Sequence, residues 1–233
     1  MKKSYNYLLS FAAAMLLCVL MSIPAQAKTV KANKWYKGNL SEGSKITWTM
    51  KMPADGYIFF EGFENGDMKI TKGGSWWEAD WEGYAGYVHD SLVQKGASVR
   101  VVMKGTEGSS YKIRMRVIKK AYYEKEKNNS KGKANLLKPG KTMTGKLKSG
   151  DKDFLVFKAA KTKVYKLVLT PLSESDSESL TYAATLGSKK IASGKAAKRT
   201  VIYKGRLKKG QKIYVKLVKP NAKYVFYDLK ASK

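Results

Sequence analysis

Six side chains that offer oxygen stand close together in the chain. Glu124, Glu126, Asn128 and Asn129 share one polar segment, and Asp151 and Asp153 follow further on, at the Ser149-Gly150 turn between the first strands of the second half. Calcium takes about six to eight oxygen ligands, carboxylates with some carbonyls, so a segment folding back against the two aspartates would offer a calcium site. Between Lys125 and Lys166 the acids are Glu126, Asp151 and Asp153 alone, in a stretch otherwise rich in lysine. The competing reading is that the two aspartates make a turn and pair with neighbouring lysines. Calcium is the metal this donor set suits, and nothing else in the sequence requires a cofactor.

Catalytic chemistry has little to work with. One His and one Cys in 233 residues leave no material for a His-rich metal enzyme, a zinc finger or a disulfide scaffold. His89 lies between Val88 and Asp90, with Ser91 next. Neighbours on a strand point to opposite faces, so His89 and Asp90 do not form a relay with each other. Glu78 and Glu82 are the nearest thing to a glycosidase carboxylate pair, without a wider acidic cleft to support them. The chain reads as a non-enzyme.

Binding chemistry is better represented. All five Trp fall before residue 82, and Trp76, Trp77 and Trp81, with Tyr84 and Tyr87, crowd a segment rich in Gly and acids. Exposed rings beside carboxylates are suited to stacking on sugar faces, so these five are a candidate aromatic platform. Adjacent Trp76 and Trp77 on a strand face opposite ways, and the alternative is that they fill the core. Charge is uneven as well. Residues 28–127 carry 18 basic and 12 acidic side chains, net +6, whereas 128–233 carry 26 and 6, net +20. Lys189, Lys190, Lys195, Lys198, Arg199, Lys204, Arg206, Lys208, Lys209, Lys212 and Lys216 form the candidate polyanion site. Their field would attract anionic polymers at range and weaken with salt. The bland alternative is a solvated face that keeps edge strands from pairing.

The elements that must hold these residues begin after residue 27. Lys2 and Lys3 precede an apolar run from Leu8 to Ile23, and Ala25-Gln26-Ala27 supplies small residues at the expected cut, the form of a cleaved secretory signal. The 16-residue run spans only ~24 Å as a helix against a ~30 Å hydrocarbon core, so no transmembrane anchor is expected. Cys18 lies inside the leader, leaving no cysteine in the mature chain.

The mature residues repeat. Gly38 to Met50 matches Gly145 to Phe157 in its glycines, its leucine and its alternating apolar positions, 107 residues later. Leu92 to Val101 corresponds to Arg206 to Val215 in the same order. Ile46, Trp48, Met50 and Met52 alternate with polar residues, as do Tyr111, Ile113, Met115 and Val117, and the second half ends on Val225, Tyr227 and Leu229. Period two with Gly-rich turns between runs means half-buried strands, apolar inside and basic outside. The expected fold is all-β: a first sandwich over 28–123, a linker over 124–133 without a large apolar residue, and a second sandwich over 134–233.

The second copy resembles the bacterial pre-peptidase C-terminal domain. The likeness runs through Asn128-Asn129-Ser130, Ala134-Asn135, Leu137, Gly140, Thr144-Gly145-Lys146-Leu147 and Gly150-Asp151-Lys152-Asp153-Phe154. It implies two tandem jelly-roll-like β-sandwiches, similar to the collagen-binding modules of clostridial collagenases. It also implies an acidic E-x-E-x-N linker of the kind calcium-binding members use, here Glu124, Glu126 and Asn128. Copy one has Ser44 and Ile46 where Asp151 and Asp153 stand, so no acidic site carries over to it. The expected protein is secreted, loosely associated with the bacterial envelope, and adheres to an anionic polysaccharide, teichoic acid or extracellular matrix. The alternative is a structural or protein-interaction component of the cell surface. Nucleic acid is not an expected partner.

Overall fold

The computed structural model describes residues 27–61, 67–72, 75–79, 87–88, 92–104, 109–172, 179–219 and 224–232. The expected leader lies outside them, apart from Ala27. Among the described residues no helix is long and apolar enough to cross a membrane.

Among the described residues nine strands form the first half: β1 (Ala27–Thr29), β2 (Trp35–Leu40), β3 (Lys45–Lys51), β4 (Gly56–Glu61), β5 (Asp67–Lys72), β6 (Ser75–Ala79), β7 (Tyr87–Val88), β8 (Ser98–Lys104) and β9 (Ser109–Lys119). Nine form the second: β10 (Asn135–Leu137), β11 (Thr142–Lys148), β12 (Lys152–Lys158), β13 (Lys163–Pro171), β14 (Leu180–Leu186), β15 (Lys189–Ala196), β16 (Thr200–Leu207), β17 (Lys212–Val218) and β18 (Tyr224–Ser232). The first half pairs its strands as β1-β3-β8-β5-β6 and β2-β9-β4-β7. The second pairs them as β10-β12-β17-β14-β15 and β11-β18-β13-β16. Adding nine to each strand of the first half reproduces the order in the second. β1 on β3 and β10 on β12 are the parallel pairs, and the other pairs are antiparallel.

Alternation decides which face turns inward. On β12, Asp153, Leu155 and Phe157 point into the second core; on β17 Ile213, Val215 and Leu217 meet them. Trp48 and Met50 of β3, Val99, Val101 and Met103 of β8, and Ile113 and Met115 of β9 fill the first core. Tight turns take the glycines the sequence supplies, as at Gly210 (φ 85°) beside Lys208 and Lys209.

The outer face of one sheet departs from the expected basic-outside pattern. Phe59 and Ile118 of the first half pack on Phe226 of the second, the two phenyl centroids 6.1 Å apart, and all three are buried. Arg116 lies over the Phe59 ring at 4.8 Å and pairs with Asp228 at 2.6 Å. The strand period places Arg116 on the outside of its sheet correctly, but the second sandwich covers that outside.

Candidate functional site

The segment after β9 does not stand free of the second sandwich. Glu124 N–H donates to Thr144 O of β11 at 2.9 Å, and Asn128 O accepts from Phe154 N–H of β12 at 3.0 Å. Lys125 N–H and O both bond the amide of Asn135, at 3.0 Å each. These bonds turn the segment along the end of the sandwich where β11, β12 and β18 converge, and carry Glu124 and Asn128 into the interior. Both are buried, Asn128 completely, as is Asp153.

Tyr227 of β18 organises the cluster. Its hydroxyl lies 2.7 Å from Glu124 Oε2 and 2.9 Å from Asp153 Oδ2, and Asn128 Nδ2 donates to the same Glu124 oxygen at 3.2 Å. The Lys146 backbone N–H donates to Glu124 Oε1. A phenol has one proton to donate, so two carboxylates sharing it need either a second proton or a cation between them. Burial raises the Asp153 carboxyl to about 9, with the Glu124 charge adding to the effect. Burial also raises Glu124 above its ordinary value, and burial followed by the two carboxylates pushes Tyr227 well above a free phenol.

Two oxygens here lack a hydrogen-bond partner although wholly buried, Asp153 Oδ1 and Asn128 Oδ1. Such orphans are costly unless a cation or water meets them. Glu126, Asp151 and Asp153 each bring a carboxylate oxygen within 4.8 Å of the others. The orphaned acceptors and this oxygen-only donor set fit a calcium ion. Asp151 also makes the turn after Gly150, its Oδ1 accepting from Lys152 N–H at 2.8 Å. Asn129 is exposed.

Tyr227 is absent from the sequence-level donor set because it lies 103 residues from Glu124. A trace of it exists in the repeat. Gly145 stands opposite Tyr227 across β11 and β18, and Gly38 stands opposite Tyr111 across β2 and β9. A Cβ on either glycine would collide with the tyrosine hydroxyl. The repeated glycine is thus the space for a repeated tyrosine ring, and in the first half Tyr111 packs edge-on against Trp48, 5.5 Å away.

The eleven basic residues singled out from sequence do not form one patch. Strand registers put the loops 137–141, 158–163, 187–190 and 207–212 at one end of the second sandwich: Leu137 pairs with Phe157, Phe157 and Leu186 with Ile213, and Lys163 with Leu207. Lys189, Lys190, Lys208, Lys209 and Lys212 are exposed there, and Lys138, Lys141, Lys158 and Lys161 join them. These four loops contain no acid. Lys198 and Arg199 lie at the opposite end with the acid cluster, since they follow Ala196, which pairs with Leu180. Lys195, Lys204, Arg206 and Lys216 are on strands, paired across from Thr181, Lys166, Val164 and Phe154.

The aromatic segment is described only in part. Trp76 and Trp77 are on β6, paired with Thr71 and Ile70, and Tyr87 is on β7. Their side chains, together with Trp81, Tyr84 and His89, lie outside the described residues. Of the other two tryptophans, Trp48 is core, and Trp35 is 41% exposed with Arg114 4.7 Å above its ring.

No family model matches the chain, and no curated protein matches it. Among solved structures it is similar to the pre-peptidase C-terminal domain of a collagenase from Bacillus anthracis, at 21% identity and TM-score 0.35 over 42% of this chain and 93% of that one. It is also similar to the CUB1-EGF-CUB2 domains of rat MASP-1, at 8% identity and TM-score 0.28 over 88% and 100% of the two chains. The ANX2 ectodomain from Arabidopsis thaliana aligns at 6% identity and TM-score 0.28 over 83% of each chain. At these values the likenesses bear on neither ligand nor activity.

Proposed function

We propose that the chain is an exported, non-catalytic binding protein whose second sandwich adheres to an anionic polymer of the cell envelope or surrounding matrix. The observation that carries this reading is the segregation of charge along that sandwich: exposed lysines without an acid at one end, buried carboxylates at the other. An unopposed cluster of ammonium groups makes a field that draws in polyanions and loses strength as salt screens it. Lysines, as point charges, suit the spaced phosphates or carboxylates of a flexible polymer better than planar bidentate recognition.

In the same reading Glu124, Glu126, Asn128, Asp151 and Asp153 hold a calcium ion. Its part is structural: it would neutralise the buried carboxylates and fasten the segment 124–128 to β11 and β12. The buried, partnerless Asn128 Oδ1 and Asp153 Oδ1 support this.

Retention of the full chain on teichoic-acid or heparin resin tests the adhesion. Lys189→Glu, Lys190→Glu, Lys208→Glu and Lys212→Glu together should elute at much lower salt than the wild type. Lys198→Glu with Arg199→Glu, at the other end, should shift elution far less. Equal shifts for both sets, or elution indifferent to salt, would defeat the reading.

A further inference from the structure

Where the edge strand β10 ends, a groove of about 610 Å³ opens at the lysine-bearing end of the second sandwich. Leu136, Leu137, Pro139, Ala159 and Ala160 line it together with Lys138, Lys158 and Lys209, and no acid does. Leu136 is 55% exposed, an uncommon position for a leucine in the middle of a basic surface. The volume falls in the range of about 300–1,000 Å³ typical of small-molecule sites.

The first sandwich has a groove of about 530 Å³ at the equivalent place, after its own edge strand β1. Lys31 and Lys51 line it, 107 positions before Lys138 and Lys158. The third lysine also has a counterpart. Gly96 N–H bonds Met52 O at 2.9 Å as Gly210 N–H bonds Ala159 O at 2.8 Å, which sets Lys95 where Lys209 stands. The two grooves differ in the lysines that line them, in the turn beside them and in part of their floors. Lys95 N–H donates to Asp55 Oδ1, whereas Lys209 N–H donates to Thr162 Oγ1. Val30, Ala32 and Pro53 keep part of the first groove apolar, at the positions of Leu137, Pro139 and Ala160, but Thr29 stands where Leu136 does, and Asn33 and Thr49 add further polar atoms.

A charged glycan or teichoic chain explains the lysines but makes no use of an apolar floor. The floor asks for a ligand that is apolar along its body, and the lysines ask for one that is anionic at its head. We propose that the groove of the second sandwich binds a free single-chain anionic amphiphile. Its alkyl body lies on Leu136, Pro139 and Ala160, and its headgroup lies among Lys138, Lys158 and Lys209. The site is concave, so it takes one chain out of solution and does not insert into a bilayer. The first groove, lined by two lysines where the second has three and with a more polar floor, binds the same ligand more weakly. This ligand is distinct from the polymer, and either can fail without the other.

Calorimetric titration of the full chain with octyl, decyl and dodecyl phosphate, each below its micelle-forming concentration, tests the site. Affinity should rise roughly three- to four-fold per methylene buried, the equivalent of ~0.8 kcal/mol, and inorganic phosphate should not compete at matched concentration. Leu136→Glu and the triple change Lys138→Gln, Lys158→Gln, Lys209→Gln should each weaken decyl phosphate at least ten-fold with melting temperature unchanged, because all four side chains are exposed. Lys31→Gln with Lys51→Gln should leave the main binding event intact. Affinity independent of chain length, or wild-type affinity in Leu136→Glu, would overturn the proposal. So would binding to anionic vesicles without binding to monomeric alkyl phosphate. Leu136→Ser, which leaves the charge alone, should weaken decyl phosphate while keeping retention on polyanion resin; parallel loss of both would overturn the separation of this ligand from the polymer.

Discussion

Asp153 is a carboxyl at the head of a strand whose other inward positions are Leu155 and Phe157, and the chain holds it there through a phenol. Because burial raises its folded value to about 9 from 3.8, the folded state keeps a proton that the unfolded state releases. The linkage then has a definite sign. The stabilisation from this proton is complete below pH 3.8 and declines as pH rises toward about 9, since over that window the native state binds more protons. In a chelator, the melting temperature of the second sandwich should therefore fall from pH 5 to pH 9. Calcium should raise the curve and flatten it, because a bound cation takes over the proton's role. A chelated protein that gains stability across that window would contradict this account. Gly145 gives a second residue-level test. A methyl there would strike the Tyr227 hydroxyl and approach Glu124 Oε2 to 2.6 Å. Gly145→Ala should cost about 1–3 kcal/mol by overpacking and abolish any calcium-dependent rise in melting temperature, whereas Gly150→Asn, strained by its positive φ but with nothing near its side chain, should lower stability and still leave the calcium-dependent rise in place.

The segment 124–130 is held by polar bonds, from its backbone to β11, β12 and the Asn135 amide and from Glu124 to Tyr227 and the Lys146 N–H, with no large apolar side chain of its own, and its lysines 125 and 127 are exposed. A segment held this way opens locally at low free-energy cost, and ligands that bridge it to the sandwich raise that cost. Trypsin should cut after Lys125 or Lys127 several-fold faster in chelator than in millimolar calcium, with magnesium protecting little; equal rates in both cations would argue against a site of calcium's size and ligand number. The contrast between what could and could not be read from sequence lies at this scale. Strands β3, β9, β12 and β17 were legible because alternation of Trp48 with Thr49, or of Ile213 with Tyr214, needs only local residues. Of the six oxygen donors singled out from sequence, Glu126, Asp151 and Asp153 do come within 4.8 Å of one another and Glu124 and Asn128 are buried, while Asn129 is exposed. Alternation is local within 124–128 and within 151–153, and the meeting of the two stretches was an expectation from the family resemblance. Tyr227 was not legible, since nothing local in β18 distinguishes it from the neighbouring core residues Val225 and Leu229. Nor was the division of the lysines into an end and a set of strand positions, which depends on pairing between loops distant in sequence.

The two halves meet through a small patch: Phe59, Ile118 and Phe226, the stacked pair Tyr57 and Tyr123 at 4.1 Å, and the Arg116 to Asp228 ion pair. Thr144 Oγ1 donates to the other Asp228 oxygen at 2.6 Å, so the ion pair is anchored to β11, the strand that also holds Glu124. Tyr123 belongs to the patch and Glu124 to the acid cluster, and one peptide bond joins them. Order in the cluster is therefore transmitted to the interface by the shortest connection the chain allows, and calcium should stabilise both halves although it touches one. In calorimetry the wild type should show one transition that moves up with calcium, a gain of 1 kcal/mol shifting the midpoint by roughly 2–8 °C for domains of this size. Phe226→Asp places a charge against Phe59 and Ile118 and should part the sandwiches without emptying either core, because Phe226 lies outside both. That variant should melt in two steps, with calcium moving the second sandwich alone. Two steps in the wild type, or a calcium shift of both steps in the variant, would show that the patch does not couple the halves.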